Sequence, residues 1–221
     1  MLRREISSKQ FLADLRVAEN PEVEPPDTRK AISRWSAGET RWGGCETGGC
    51  AAATFSAVPG IPFNSRRLHL LGVVYGDVLL GPRVKFEAVD AGRRISAPGV
   101  ERIEKAIDDG WLQIARLSAK ERSRAQSIVS KNRLDGGEAE SIALASSRKL
   151  IVILDDREAR SFAEGLGVQF LGTAGMLFQG FVRGHLTLAE LEDAVQELSQ
   201  TIWLGPAVVA EVLKKARKVD R

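Results

Sequence analysis

Leu150-Ile151-Val152-Ile153-Leu154 is an unbroken apolar run that stops abruptly at two aspartates, Asp155 and Asp156. A strand that is apolar and β-branched throughout must be covered on both faces, which is the situation of a strand inside a parallel sheet. The segment before it, Asp135 to Ser147, reads as a helix with an acidic start. Its apolar side carries Ala139, Ile142, Ala143 and Ala145. Side chains this small let a helix sit close against a sheet. In α/β proteins the ends of parallel strands are where the chemistry is placed. Carboxylates gathered there without a histidine or a thiol point to Mg²⁺ or Mn²⁺, which prefer oxygen ligands.

The same alternation extends along the chain from Leu68. Leu68 to Val74 suits a short helix, and Val78-Leu79-Leu80 a buried strand stopped by Gly81-Pro82. Val84 to Val89 makes one or two helical turns, and Val100 to Asp109 a helix. Trp111 to Leu117 alternates as a strand does. A basic helix or extended turn covers 119–132. After the Asp135 helix and the Leu150 strand come a helix over Arg157 to Glu164, a short strand at Val168 to Leu171, and helices at Ala174 to Val182, Leu188 to Leu198 and Pro206 to Arg217. Strand and helix in alternation imply a parallel sheet with right-handed crossovers. The fold class is therefore α/β, with a central parallel sheet.

The chain changes character near residue 67. A short helix is predicted over 5–18, and Pro21, Pro25 and Pro26 interrupt regular structure after it. Residues 28–62 contain Trp35, Trp42, Cys45, Cys50 and many glycines but no sustained period of 2 or 3.6. The expected organisation is an irregular N-terminal region over 1–66 and a folded domain over 67–221.

Composition excludes some classes. Two cysteines are too few for a disulfide-built secreted fold, and with only His69 and His185 beside them a zinc site lacks ligands. No apolar run approaches the roughly 20 residues of a membrane span, and no apolar signal core comes after Met1. A cytoplasmic protein is expected. The net charge of +3 does not by itself demand a nucleic-acid partner. The distribution says more: Lys120, Arg122, Arg124, Lys131 and Arg133 are opposed locally by Glu121 alone, and a second basic cluster closes the chain. Such clusters contact phosphate in some proteins and are ordinary solvated helix surface in others.

Each candidate acid has a structural reading beside the chemical one. Asp135 and Glu138 have the spacing of a capping box. Glu138 also lies close to the Ile142 and Ala145 side that meets the sheet, where a carboxylate is costly unless a cation or donor compensates it. Either Asp155 or Asp156 can cap the helix that begins near Arg157. One cap does not require two aspartates, and adjacent carboxylates repel each other unless a cation relieves them. Glu87 stands among apolar neighbours and equally suits an exposed helix position. A receiver-like signalling domain would also use Asp155-Asp156, but the later strand-end lysine it needs has no place here.

Several segments together resemble a known family. Tyr75-Gly76-Asp77-Val78-Leu79-Leu80-Gly81-Pro82-Arg83-Val84, Gly137-Glu138-Ala139-Glu140-Ser141-Ile142-Ala143-Leu144-Ala145, Leu154-Asp155-Asp156-Arg157-Glu158-Ala159-Arg160 and Leu171-Gly172-Thr173-Ala174-Gly175 occur in the order found in PIN-like nuclease domains of the DUF3368 subgroup. The resemblance covers roughly the last two-thirds of the chain. It implies a three-layer sandwich around the parallel sheet and a metal-dependent endoribonuclease, in many cases the toxin of a toxin–antitoxin pair. It implies Glu87, Glu138 and Asp156 as catalytic residues that hold one or two Mg²⁺ or Mn²⁺ ions, with Asp155 as a further or adjacent ligand. Arg122, Arg124, Lys131 and Arg133 would then contact RNA, most simply single-stranded. An antitoxin or a second copy of the chain would be the protein partner, with no membrane involved.

One element departs from the resemblance. PIN domains begin with an apolar strand that ends in an aspartate. The corresponding region, Thr54 to Arg67, contains no aspartate, and Pro59 and Pro62 are poor residues for a central strand. Asn64-Ser65 is the nearest stand-in. The first strand is therefore expected to be absent or altered. This fits either a reading frame shifted upstream of Leu68 or a degenerate PIN-fold module that binds nucleic acid or a partner protein without cleaving RNA.

Overall fold

A computed structural model describes residues 51–53, 67–131, 134–201 and 204–220. The chain divides into two compact units, one spanning Cys45–Thr173 and the other taking in Ala174–Arg221. The predicted helix over 5–18, the irregular stretch up to Cys50, Asn64-Ser65 and Arg133 lie outside the described residues.

The first unit is built on a five-stranded sheet. Its strands are β1 (Ala51–Ala53), β2 (Val78–Leu80), β3 (Leu112–Ile114), β4 (Ile151–Ile153) and β5 (Phe170–Leu171). Their spatial order is β3-β2-β1-β4-β5 and every pairing is parallel. β1 is central: Ala51 pairs with Val78 on one side and with Ile151 on the other. The first strand is thus present but altered: it precedes Thr54 to Arg67, where the resemblance had located it, and is made of alanines with no aspartate directly after them. Alanine has little preference for strands. What holds Ala51–Ala53 extended is hydrogen bonding to a neighbour along each edge, and no local pattern announces that.

The other strands agree with their sequence signals. Val78, Leu80, Val152 and Ile153 are buried, as strands covered on both faces require. β3 is shorter than the predicted Trp111 to Leu117. Ser118 caps the next helix, its hydroxyl accepting the Glu121 N–H at 3.2 Å while the Glu121 carboxylate accepts the Ser118 N–H at 2.7 Å.

Helix α1 (His69–Tyr75) precedes β2. After β2, α2 (Pro82–Lys85) starts with proline at its first position, where the missing N–H costs nothing. It runs on through a π-helical segment, Phe86–Ala91, into α3 (Gly92–Arg94). Helix α4 (Val100–Asp108) leads to β3, and α5 (Ala119–Lys131) and α6 (Gly136–Arg148) lead to β4. Ala139, Ile142 and Ala143 of α6 are fully buried in one core with Ile128 of α5 and with Val152 and Leu154. Arg148, at the carboxyl end of α6, grips Glu121 near the amino end of α5 through Nε at 2.8 Å and Nη2 at 3.2 Å. The pairing shows that α5 and α6 run antiparallel. The Arg148 guanidinium holds the buried Glu121 carboxyl down to about 2. Helix α7 (Arg157–Gly165) lies between β4 and β5.

The second unit holds most of α8 (Thr173–Val182), together with α9 (Leu188–Thr201) and α10 (Pro206–Val219). Gly184, at φ +81°, ends α8 in the left-handed region, its N–H reaching the Phe181 carbonyl at 2.9 Å. Thr187 and Glu190 form a capping box at the start of α9. Glu192 of α9 bonds Arg217 of α10 at 2.8 Å. Val208 and Val212 are buried, whereas Ile202 and Trp203 lie outside the described residues.

Candidate active site at the carboxyl edge of the sheet

The chain leaves β1 toward β2 and β3 on one side and returns to β4 and β5 on the other. Strand order therefore reverses at β1 and β4, and a crevice at their carboxyl ends is where open α/β sheets bind ligands. Three helix amino termini reach this edge: α2 comes after β2, α7 comes after β4, and α6 runs into β4 from the opposite end. Each brings backbone N–H groups and a positive dipole end.

Glu138 is the third residue of α6 and only 6% exposed. Its own N–H donates to Asp135 Oδ1 at 2.7 Å, so the predicted cap forms. Burial pushes its carboxyl up to about 7, and the charges of Asp135, Asp156 and Glu158 add to this against the Asp135 backbone N–H. Capping thus explains the position of Asp135 but does not relieve Glu138, which remains a buried acid facing other acids.

Glu87, in the π-helical segment, approaches the same turn of α6. A Cβ on Gly137 would lie 3.0 Å from its Oε2. Oε1 accepts Arg83 Nε at 2.5 Å, while Oε2 is buried with no hydrogen-bond partner. Glu140 completes this side. Its Oε2 accepts the Arg83 backbone N–H at 2.7 Å and so caps α2, whose N-cap residue, Gly81, has no side chain to do so. A Cβ on Gly81 would meet that oxygen at 2.9 Å. Burial raises the Glu140 carboxyl; the Arg83 N–H opposes this and the charge of Glu87 reinforces it. Sequence reasoning does not single out Glu140. The one signal toward it is Gly81-Pro82, a helix start lacking its own cap and needing an acceptor from elsewhere.

The two strand-end aspartates diverge. Asp156 is exposed and caps α7, accepting the Ala159 N–H at 2.8 Å. Asp155 accepts the Thr173 N–H at 2.8 Å, the Thr173 hydroxyl, and Arg160 Nη2 at 3.4 Å. Arg160 also donates to the carbonyls of Leu154 and Asp155 at 2.8 and 3.0 Å. The need for a second aspartate, which capping alone left open, is met here by a tie between the end of β4 and the turn after β5.

The charge of Asp156 thus bears on Glu138, and that of Glu87 on Glu140, around the first turn of α6. Among the described residues no three carboxylate, imidazole or thiol side chains stand close enough to form a metal-ligand group. The basic candidates spread along α5. Arg122 bonds the Leu117 carbonyl near Arg148, and Arg148 is ten residues along α6 from Glu138, about 15 Å at helical rise. Arg124 is half-buried on the next turn, and exposed Lys131 ends α5 just before Asp135. His69 and His185 are exposed, and among the described residues no helix is long and apolar enough to cross a membrane.

Comparison with known families finds a match to DUF3368, described as a PIN domain, over residues 63–218. No characterised protein and no solved structure matches the chain. The match spans well over half of the sequence and includes Glu87, Glu138, Asp155 and Asp156. The chain belongs to the PIN domain family.

Proposed function

We propose that this chain is a metal-dependent endoribonuclease of the PIN type, hydrolysing phosphodiester bonds in single-stranded RNA. One observation carries the reading. Two acids meet at one helical turn at the carboxyl edge of the sheet: the partly buried Glu87, whose Oε2 is buried and lacks any donor, and the buried Glu138, pushed to about 7. Acids held this way are costly without a compensating cation. Their oxygens are the hard donors that Mg²⁺ or Mn²⁺ prefers. Glu87, Glu138 and Asp156, which would have to draw closer together than they stand here, would hold the ion, which when bound would activate water and offset charge on the phosphate. Glu138 must lose its proton to act as a ligand. Asp155 would keep Asp156 in place through Thr173 and Arg160. Lys131 would meet RNA phosphates near the acidic edge, and Arg133 remains an RNA-contacting residue on the sequence alone; Arg122 and Arg124 would meet phosphates only for RNA extending along α5. A three-layer sandwich, a cytoplasmic setting, a toxin role and an antitoxin or homodimer partner belong to the same reading and rest on the family alone.

A second reading is a PIN module that binds RNA or a partner without cleaving it. It is favoured by the end of β1, where Ala53 is followed by Thr54 and no aspartate occurs before Asp77. The central strand therefore supplies no carboxylate to the edge.

The deciding experiment incubates the full chain with single-stranded RNA in Mg²⁺, Mn²⁺ or EDTA, beside Glu138→Gln. The first reading expects cleavage that needs the metal and Glu138. Binding without cleavage selects the second. Cleavage that persists in EDTA rejects the metal mechanism.

A further inference from the structure

Phe86 begins the π-helical segment, one residue before Glu87, and its side chain is 42% exposed. Two guanidinium groups lie over the ring. Arg83 Cζ and Arg94 Cζ each lie 5.9 Å from its centroid, within the range of a cation–π contact. Arg83 is 55% exposed and also bonds the Glu87 carboxylate, so it links the ring to the acid. π-Helical turns carry one residue more than an α-turn and recur at functional sites, because they re-aim side chains. Here the insertion falls where an outward aromatic and an inward carboxylate stand side by side.

A partly exposed aromatic ring with two guanidinium groups over it, themselves planar and able to stack, matches one ligand well. A nucleobase offers a flat π-surface for stacking, and its flanking phosphates offer negative charge. The base must be unpaired, since in a duplex both faces are already stacked. We infer that Phe86, with Arg83 and Arg94, is a stacking platform for a base of single-stranded RNA next to the acidic edge. The inference rests on the nuclease reading for its ligand and adds the side chains that would seat the strand.

The test measures binding of a fluorescent single-stranded RNA of about 12 nucleotides to the full chain, by anisotropy in EDTA so that nothing is cleaved. Wild type is compared with Phe86→Ala, Phe86→Leu, Phe86→Trp and Arg94→Gln, with a duplex of the same sequence as control. Phe86→Ala and Phe86→Leu should each weaken binding about tenfold or more, while Phe86→Trp keeps it. Arg94→Gln should weaken binding and lower the salt dependence by roughly one counterion. Duplex affinity should not respond to Phe86. If Phe86→Ala binds as wild type does while wild type still cleaves RNA, the platform is wrong and the nuclease reading stands. If Phe86→Leu keeps full affinity, the aromatic ring is not what holds the strand, and stacking is rejected. If wild type neither binds nor cleaves single-stranded RNA, both readings fall. Arg94→Gln, on an exposed side chain, keeps the test usable should the Phe86 variants fold poorly.

Discussion

Gly137 and Glu87 are fitted to each other: a methyl group on Gly137 would stand 3.0 Å from Glu87 Oε2 and equally close to Val84 Cγ2. The bare backbone at the second position of α6 is what allows a carboxylate with one buried oxygen to lie against the helix. Gly137→Ala gains helix propensity of about 1 kcal/mol and loses it again by displacing Glu87. Its melting temperature should therefore stay near that of wild type, while Mn²⁺ affinity, read by calorimetry, falls about tenfold or more, corresponding to roughly 1.4 kcal/mol. Unchanged Mn²⁺ affinity would remove Glu87 from the proposed ligands.

Glu138 makes stability depend on pH in an unusual direction for an acid. Its carboxyl titrates near 7 in the folded chain against an ordinary value of 4.5. The folded state therefore holds the proton more tightly. The resulting stability is fully present below 4.5 and is lost as pH rises through 7. In EDTA, Glu138→Gln should be more stable than wild type at pH 8 by roughly 1–3 kcal/mol, with the difference closing at pH 4. Urea melts at the two pH values check this. A variant less stable at pH 8 than at pH 4, relative to wild type, sinks the assignment.

Glu121 works in the opposite sense. Paired with Arg148, it titrates near 2, below 4.5. Its contribution is present above 4.5 and disappears as pH falls through 2. Glu121→Gln should cost roughly 2–4 kcal/mol at pH 7, because it leaves Arg148 without its carboxylate. The gap should narrow on acidification. Arg148→Met combined with Glu121→Leu should recover part of the loss. Equal costs at pH 7 and pH 2 would show that packing, not the ion pair, is responsible.

Asp155 and Thr173 share two hydrogen bonds, one from the backbone N–H at 2.8 Å and one from the hydroxyl. Asp155→Asn and Thr173→Val should each destabilise by about 1–3 kcal/mol, and the double variant by clearly less than their sum. Chemical denaturation of all four proteins provides the cycle. Additive losses would mean that the two side chains act independently.

Legibility tracked the range of the interactions. The run Leu150 to Leu154 announced β4, and the small-residue face after Asp135 announced α6 and its cap, because strand and helix periods and capping spacings are written within a few residues. The acids of the site were visible as residues but not as neighbours. Glu140 reaches Arg83 across 57 positions and Asp155 reaches Thr173 across 18. Gly137 became significant only once Glu87 lay against it. Likewise nothing in Phe86 itself shows that two arginines lie over its ring.

By itself, then, the order of residues determined which segments are strands and helices where apolar spacing is regular, and which residue types could bind a hard cation. Tertiary structure alone decided that Ala51–Ala53 is the central strand, since its order comes from β2 and β4 on either edge and not from alanine. It also decided which of two adjacent aspartates turns toward a threonine and which toward a helix end. A side chain's role at a sheet edge is set by the partners that distant segments bring to it.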